Sequence, residues 1–166
     1  MILIFAVDNN WNIGVNGDML TSIPDDLTRF RLLTEENIVL MGRKTLEALP
    51  EQKPLPNRVN VLITRSKDYK KEGFQIVNSL EDLPFLLEKI NPLGKMEVFV
   101  TGGGNIASQL LPKCNRAYIT KIMKSFENAD TCIPNLDLDK EWEIEAESEI
   151  FKFNELNYRY INYVRV

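Results

Sequence analysis

The stretch from Glu97 to Leu111, EVFVTGGGNIASQLL, decides the fold of this chain. Its first part, Glu97 to Thr101, is an almost unbroken apolar run, which predicts a strand covered on both faces. Three glycines, Gly102 to Gly104, follow at once, and the residues from Asn105 to Leu111 are predicted to form a helix. A buried strand that passes directly into a helix is typical of a parallel α/β sheet.

The same pattern recurs on both sides of this stretch. Further buried strands are predicted at Ile2–Val7, Ile38–Met41, Val59–Ile63, Gln75–Val77 and Arg116–Ile122. Helices are predicted from Pro24, over Gly42–Leu49, and near Leu83–Ile90, where Ser79 and Asp82 resemble a capping box and Pro84 shifts the helix start. We interpret Asp8–Leu20 as a loop.

The C-terminal part has a different pattern. Trp142, Ile144 and Ala146 alternate with glutamates between Glu141 and Glu149, and Tyr158–Val166 is expected to pair with this strand after a turn near Asn154. The fold class is therefore α/β, with a central, mostly parallel twisted sheet of about eight strands, an antiparallel C-terminal edge hairpin and about four flanking helices. Residues 1–166 are expected to form a single domain.

Composition excludes several classes of protein. The chain has 166 residues, 44% hydrophobic and 27% charged, with a net charge of -4, which disfavours general binding to nucleic acid or to anionic membranes. The apolar run Met1–Val7 is too short for a signal peptide or a membrane span. Cys114 and Cys132 have no metal-binding spacing and are expected to be free thiols in the cytoplasm. With no histidine and no cysteine cluster, no metal site is expected.

Asp26 is the candidate acid for proton chemistry, because a chain without histidine must use another group near neutral pH. It shares a helix face with Phe30 and Leu33, so burial is expected to raise its pKa. Its neighbour Asp25 is instead expected to form a solvated pair with Arg29. The alternative is that both acids only stabilise the start of the helix, where carboxylates are favoured in any case.

Two helix starts suit phosphate groups. Gly42-Arg43-Lys44-Thr45 follows one strand and Gly102–Gly104 another, which places backbone N–H groups beyond the ends of parallel strands. Arg65, after a third strand, adds positive charge. The glycines do not form the usual G-x-G-x-x-G dinucleotide motif, and each feature alone also fits a tight turn or a surface charge. Together they suggest a dinucleotide with a 2′-phosphate.

At this point the sequence resembles the dihydrofolate reductase family. The matching segments occur in family order along nearly the whole chain: Ala6-Val7-Asp8, Ile13-Gly14, Pro24-Asp25-Asp26-x-x-x-Phe30, Val39-Leu40-Met41-Gly42-Arg43-Lys44-Thr45, Leu55-Pro56-x-Arg58, Thr64-Arg65, Val100-Thr101-Gly102-Gly103-Gly104, Tyr118-Ile119-Thr120 and Ala129-Asp130-Thr131. The resemblance implies NADPH-dependent reduction of 7,8-dihydrofolate to tetrahydrofolate, with hydride transfer to carbon 6 of the pterin and protonation of nitrogen 5. It also implies a cytoplasmic monomer and a cis peptide bond between Gly102 and Gly103.

The resemblance also implies roles for individual residues. Asp26 would be the catalytic acid, holding the pterin and favouring protonation through a water, with Thr120 as its support. The substrate would be bound by Ile4, Ala6, Asp26, Leu27, Phe30, Leu49, Leu55, Arg58 and Thr120, with Arg58 on the glutamate tail. The cofactor NADPH would be bound by Ala6, Ile13, Gly42, Arg43, Lys44, Thr45, Thr64, Arg65, Gly103, Gly104, Asn105, Ile106 and Gln109, with Arg43 and Arg65 near the 2′-phosphate.

Three positions depart from the family pattern. Thr21 stands where the family usually has a tryptophan, Ala107 where it often has a tyrosine, and Thr101 where an aliphatic residue is more usual. Two other functions remain open at this point. One is a related NADPH-dependent reductase of a ribosylaminopyrimidine in riboflavin synthesis, which does not need the Asp26 helix. The other is a nucleotide-binding module of the same fold without activity.

Overall fold

The structure is a computed structural model that describes residues 1–166 and shows an α/β fold. The four helices are α1 (Pro24–Thr34), α2 (Arg43–Ala48), α3 (Leu83–Ile90) and α4 (Gly104–Leu110). The strands are β1 (Ile2–Val7), β2 (Asn12–Val15), β3 (Asp18–Met19), β4 (Ile38–Gly42), β5 (Val59–Ile63), β6 (Phe74–Val77), β7 (Val98–Gly102), β8 (Arg116–Ile122), β9 (Thr131–Cys132), β10 (Trp142–Glu147), β11 (Phe151–Phe153) and β12 (Leu156–Arg165). Short 3-10 turns follow α2 at Pro50–Gln52 and α4 at Leu111–Lys113.

The central sheet has the strand order β10-β12-β8-β1-β7-β4-β5-β6, and β11 also pairs with β12. All pairs from β8 to β6 are parallel, whereas β12 is antiparallel to β8, β10 and β11. The predicted parallel sheet with an antiparallel C-terminal edge is therefore confirmed. None of the helices, of which the longest has 11 residues, is long and apolar enough to cross a membrane.

Apolar side chains cover both faces of the parallel strands, as their continuous apolar sequences predicted. Leu3 of β1 packs with Ala107 and Leu110 of α4 on one face. Ile2 and Ile4, the residues on either side of Leu3, pack on the other face, against the side chains that α1 and α2 contribute. Neighbouring residues of a strand point in opposite directions, so one strand serves both layers.

The expectation that Asp8–Leu20 is a loop is wrong. Strands β2 and β3 pair with each other, and β2 also pairs with β9 to form a second, three-stranded sheet. Trp11 is only 2% exposed and has a positive φ of 61°, so it belongs to the core. Asn and Gly residues interrupt the apolar pattern of these short strands, and their partner β9 lies far along the sequence.

The C-terminal hairpin is confirmed only in part. The turn at Asn154 joins β11 to β12, and β10 pairs with a more distant part of β12. The alternation in β10 does not produce a buried face, because β10 is the edge strand and Ile144 is 47% exposed. At α3, the predicted capping box is wrong, because the helix begins at Leu83, with Pro84 in its first turn, and has no side-chain cap. Ser79 and Asp82 bond to each other before the helix: the Ser79 hydroxyl donates to Oδ2 of Asp82 at 2.8 Å, and the Asp82 N–H donates to the Ser79 hydroxyl oxygen at 3.2 Å.

Candidate active site

A cleft of about 1560 Å³ opens where the parallel strands end. The ends of β1, β4, β5, β7 and β8 all contribute to its wall, which is the usual place for a ligand in a parallel α/β sheet. Every candidate residue from the sequence lines this one cleft: Ile4, Ala6, Ile13, Asp26, Leu27, Phe30, Gly42, Arg43, Lys44, Thr45, Leu49, Leu55, Arg58, Thr64, Arg65, Gly103, Gly104, Asn105, Ile106, Gln109 and Thr120. Residues far apart in sequence are thus brought together as predicted.

The carboxyl group of Asp26 is held at the wall of the cleft by a defined hydrogen bond. The hydroxyl group of Thr120, on β8, donates to Oδ1 of Asp26 at 2.5 Å. Helix α1 positions Asp26 in its first turn, and the residue that caps the helix, Ile23, is buried and anchors that end. Burial raises the pKa of Asp26, while the Thr120 hydrogen bond and the positive charge of Arg29 oppose this rise.

The predicted pair between Asp25 and Arg29 is wrong. The guanidinium of Arg29 instead lies 4.2 Å from the centre of the Tyr160 ring and donates to Oδ1 of Asn162 at 3.3 Å. It also lines the cleft, so it is a site residue that the sequence analysis missed. The helical spacing allowed either neighbour, because Arg29 follows Asp26 by three residues and Asp25 by four.

Apolar side chains form the walls next to Asp26. Phe30 comes from α1, Leu49 from the end of α2 and Leu55 from the following loop, and all three pack partly against the core. Leu27 is 43% exposed and faces the opening. These apolar walls next to the carboxyl group of Asp26 suit a flat heterocycle with a polar edge.

Arg58 lies at the same end of the cleft with its guanidinium fixed. Its Nη1 donates to the hydroxyl oxygen of Thr34 at 3.1 Å and its Nε to the carbonyl oxygen of Pro56 at 2.9 Å. Partial burial lowers the pKa of Arg58, but an arginine stays protonated under these conditions. A held guanidinium of this kind is suited to a carboxylate.

The other half of the cleft contains the two helix starts. Neither α2 nor α4 has a side-chain cap, so no side chain covers the first N–H groups of either helix. Arg43 extends beside them, held by Glu47 at 2.8 Å and by the Tyr69 ring at 4.5 Å. Lys44, Thr64 and Arg65 line the same region. This set of groups suits the phosphates of a dinucleotide.

The glycines between β7 and α4 have two different surroundings. A Cβ atom on Gly102 would lie 2.4 Å from Oγ1 of Thr45, whereas one on Gly103 would meet nothing nearer than the same atom at 3.8 Å. Gly102 therefore permits the close packing of β7 on α2, and Gly103 leaves an open backbone surface on the cleft. The peptide bond between them is cis, as the resemblance implied.

The three departures from the family pattern lie in different surroundings. Thr21 and Thr101 line the cleft, and Thr101 donates a hydrogen bond to the carbonyl oxygen of Leu40 at 3.0 Å. Ala107 is fully buried in the core and is not part of the cleft wall. Further residues that the sequence patterns did not single out as site residues also line the cleft, among them Asp18, Met19, Leu20, Arg31, Met41, Ser66, Asn78, Ser79, Leu80, Glu81 and Ile122.

Comparison with known proteins agrees with this geometry. The family model for dihydrofolate reductase matches residues 1–165. The chain is 34% identical to dihydrofolate reductase of Bacillus subtilis over 157 residues, which cover 95% of this chain and 88% of the relative. It is 32% identical to dihydrofolate reductase of Mycobacterium tuberculosis over 166 residues, which cover 98% and 96%.

A solved structure is similar along the whole chain. Dihydrofolate reductase from Enterococcus faecalis, complexed with NADP(H) and RAB-propyl, superposes with a TM-score of 0.84 at 31% identity. The match covers 99% of this chain and 95% of the other. On its fold, its cleft and these matches, this chain belongs to the dihydrofolate reductase family.

Proposed function

We propose that this chain reduces 7,8-dihydrofolate to 5,6,7,8-tetrahydrofolate with NADPH. One observation carries the proposal: the carboxyl group of Asp26, bonded to Thr120, lies in an apolar pocket that continues into a basic, glycine-rich cleft. The pocket suits a pterin and the basic cleft suits a phosphorylated dinucleotide. Family membership identifies which pair of ligands has these properties.

Asp26 orients the substrate. As a carboxylate, it accepts hydrogen bonds from the 2-amino group and from nitrogen 3 of the pterin, and no protein donor occupies its Oδ2 atom. The Thr120 hydroxyl fixes the plane of the carboxyl group, so the two acceptors keep one orientation. This orientation also favours protonation of nitrogen 5, which a water delivers.

The apolar walls keep the pterin flat and exclude other water from it. Phe30 and Leu49 contribute to these walls, and Ile4 and Ala6 form the floor at the end of β1. Exclusion of water strengthens the hydrogen bonds that Asp26 accepts. Arg58 holds a carboxylate of the glutamate tail, which places the pterin at a fixed depth.

The residues present fit NADPH. The open surface at Gly103 lets a bulky anion approach the backbone, and Arg43, Lys44 and Arg65 supply the charge that its phosphates need. Bound NADPH supplies the hydride that carbon 6 of the pterin accepts. We further propose that Thr45, Thr64, Asn105, Ile106 and Gln109 contact the cofactor.

We also propose that residues 1–166 form one domain that acts as a cytoplasmic monomer and does not bind nucleic acid. The central sheet takes strands from both ends of the chain, β1 and β12, and this supports a single domain. The net charge of -4 supports the absence of nucleic-acid binding.

Replacement of Asp26 by asparagine tests the proposed function. Asn keeps the shape but presents an N–H donor where the pterin also has a donor, so we expect the rate of dihydrofolate-dependent NADPH oxidation at pH 7 to fall about 10²- to 10⁴-fold. NADPH binding, measured by fluorescence titration, should be nearly unchanged. The matched control is Asp25→Asn, because Asp25 is the adjacent acid but does not line the cleft.

Three outcomes would contradict the proposal. Equal rates in Asp26→Asn and wild type would remove Asp26 from the mechanism. Turnover of a ribosylaminopyrimidine instead of dihydrofolate would favour the related reductase. Binding of NADPH without oxidation of it by either substrate would favour a module without activity.

A further inference from the structure

Arg29 is a charged residue within an aromatic part of the site. Its guanidinium lies 4.2 Å from the centre of the Tyr160 ring and 5.9 Å from that of Tyr118. Asn162 accepts a hydrogen bond from it at 3.3 Å. Three contacts on two different strands, β8 and β12, thus hold the side chain in one place.

Arg29 keeps a positive charge in a half-buried position. Burial lowers the pKa of Arg29 because it penalises the charged form, yet an arginine remains protonated. The cation therefore persists in a half-buried position. The guanidinium of Arg29 forms no ion pair, because no carboxylate oxygen lies within 4.0 Å of its nitrogen atoms.

Arg29 is the cation that acts on Asp26. Burial raises the pKa of Asp26, and two groups oppose this, the Thr120 hydroxyl on β8 and the charge of Arg29 one helical turn away on α1. The other titratable groups that face this region are Tyr118 on β8 and Tyr158 and Tyr160 on β12, with Asp25 beyond them on α1.

Tyr158 and Tyr160 do not supply charge near neutral pH. Burial and the neighbouring Asp26 raise the pKa of Tyr160 to about 12, and burial together with the charges of Asp25 and Asp26 raises the pKa of Tyr158. Asp25 is an acid, so its charge disfavours a second carboxylate. Arg29 is therefore the source of positive charge in this group.

We propose that Arg29 is a positioning residue for the proposed reaction, a cation fixed on Tyr160 and Asn162 whose charge favours the ionised form of the half-buried Asp26 carboxyl group without forming an ion pair with it. Because the charge acts through space, the Oδ2 atom stays free to accept a hydrogen bond from the pterin. This inference rests on the proposed function, in which the ionised form of Asp26 orients the substrate.

The direct test is titration of Asp26 in the protein without ligands. The carboxyl carbon of Asp26 is observed by NMR with ¹³C-labelled aspartate and assigned by its loss in Asp26→Asn. In Arg29→Met, which keeps much of the apolar stem, the titration midpoint should move to higher pH than in wild type. In Arg29→Lys, which keeps the charge, the midpoint should return most of the way toward the wild-type value.

Arg116→Met is the matched control, because it also removes one guanidinium but lies outside the cleft and pairs with Glu145. Its Asp26 midpoint should equal that of wild type. Thermal unfolding of each variant identifies loss of fold. An unchanged or lower midpoint in folded Arg29→Met would overturn the proposal, and so would a Lys variant that behaves like the Met variant.

A kinetic measurement connects the titration to the reaction. The KM for dihydrofolate should rise as the pH falls through the pKa of Asp26, and in Arg29→Met this rise should begin at a higher pH. A purely structural role of Arg29 would change KM or kcat by the same factor at every pH. If dihydrofolate is not reduced at all, the proposed function fails, and the NMR titration still decides whether Arg29 controls the ionisation of Asp26.

Discussion

At the scale of single residues, Asp26 is placed for binding at a cost in stability. Burial raises the pKa of this carboxyl group above its ordinary value, so the folded chain binds the proton more tightly than the unfolded chain does. Between the unfolded and the folded pKa, the folded chain holds a proton that the unfolded chain has lost. Stability from this group is therefore fully present at acid pH and decreases as the pH rises through that window.

The direction of this pH dependence leads to a prediction about the stability of Asp26→Asn, which is separate from the prediction about its activity. The amide carries no charge at any pH, so the variant should be more stable than wild type near pH 7, and its advantage should shrink as the pH falls below the window. Urea unfolding at several pH values measures the difference. All other carboxyl groups are present in both proteins, so their contributions to the difference in stability cancel. A difference that grows toward acid pH would show that the pKa of Asp26 is lowered instead.

Residue chemistry also shows what the sequence could and could not predict. Asp26 was found because the chain has no histidine and because helical spacing placed it beside Phe30. Arg29 was assigned to Asp25, since helical spacing alone does not distinguish the i+4 partner from the i+3 partner. Contacts with the rings of Tyr118 and Tyr160 determine where the guanidinium of Arg29 lies. Both rings come from strands about ninety or more positions away in sequence, so no local pattern reveals these contacts.

At the scale of elements, the junction of β7, α4 and α2 depends on the absence of one side chain. A methyl group on Gly102 would lie 2.4 Å from Oγ1 and 2.8 Å from Cγ2 of Thr45. We expect Gly102→Ala to lower the free energy of unfolding by about 1–3 kcal/mol through overpacking. Addition of Thr45→Ala should restore part of this, because it removes both of those atoms. Urea unfolding of the single and double variants measures the coupling.

Gly103→Ala is the companion variant at this junction. The new methyl group would have no neighbour within 3.8 Å, and the φ of -90° is acceptable for alanine. If phosphates approach this backbone, the variant should bind NADPH more weakly than wild type while its cleft keeps the same pterin pocket. NADPH binding equal to that of wild type in a folded Gly103→Ala would mean that the open surface is not part of the cofactor site.

Elements differed in how well the sequence predicted them. The parallel strands were predicted well, because each is mostly apolar and its pattern can be recognised without knowledge of its partner. The strands β2, β3 and β9 were missed, because each is short and acquires its structure only by pairing.

At the scale of the whole molecule, the distribution of charge differs from its sum. The chain has a net charge of -4, yet six basic residues line the cleft (Arg29, Arg31, Arg43, Lys44, Arg58 and Arg65) against three acidic ones (Asp18, Asp26 and Glu81). The cleft therefore carries the opposite sign to the molecule. Charges gathered in a concave surface raise the local concentration of an anionic ligand.

This distribution predicts how salt affects cofactor binding. From about 10 mM to about 100 mM salt the Debye length falls from about 30 Å to about 10 Å, so the attraction between cleft and cofactor weakens. Because NADPH carries one more phosphate than NADH, its dissociation constant should rise more steeply with salt. Fluorescence titration of both cofactors over this range measures the two slopes.

Variants identify the side chains whose charges cause the salt dependence of the NADPH dissociation constant. Arg65→Gln should bring the salt dependence for NADPH closer to that for NADH, because Arg65 lines the basic half of the cleft. Arg116→Gln should leave both slopes as in wild type, because Arg116 is exposed, pairs with Glu145 and lies outside the cleft. Equal slopes for the two cofactors in wild type would mean that the extra phosphate does not reach these side chains. A change of slope in Arg116→Gln as large as that in Arg65→Gln would assign the effect to the net charge of the molecule rather than to the cleft.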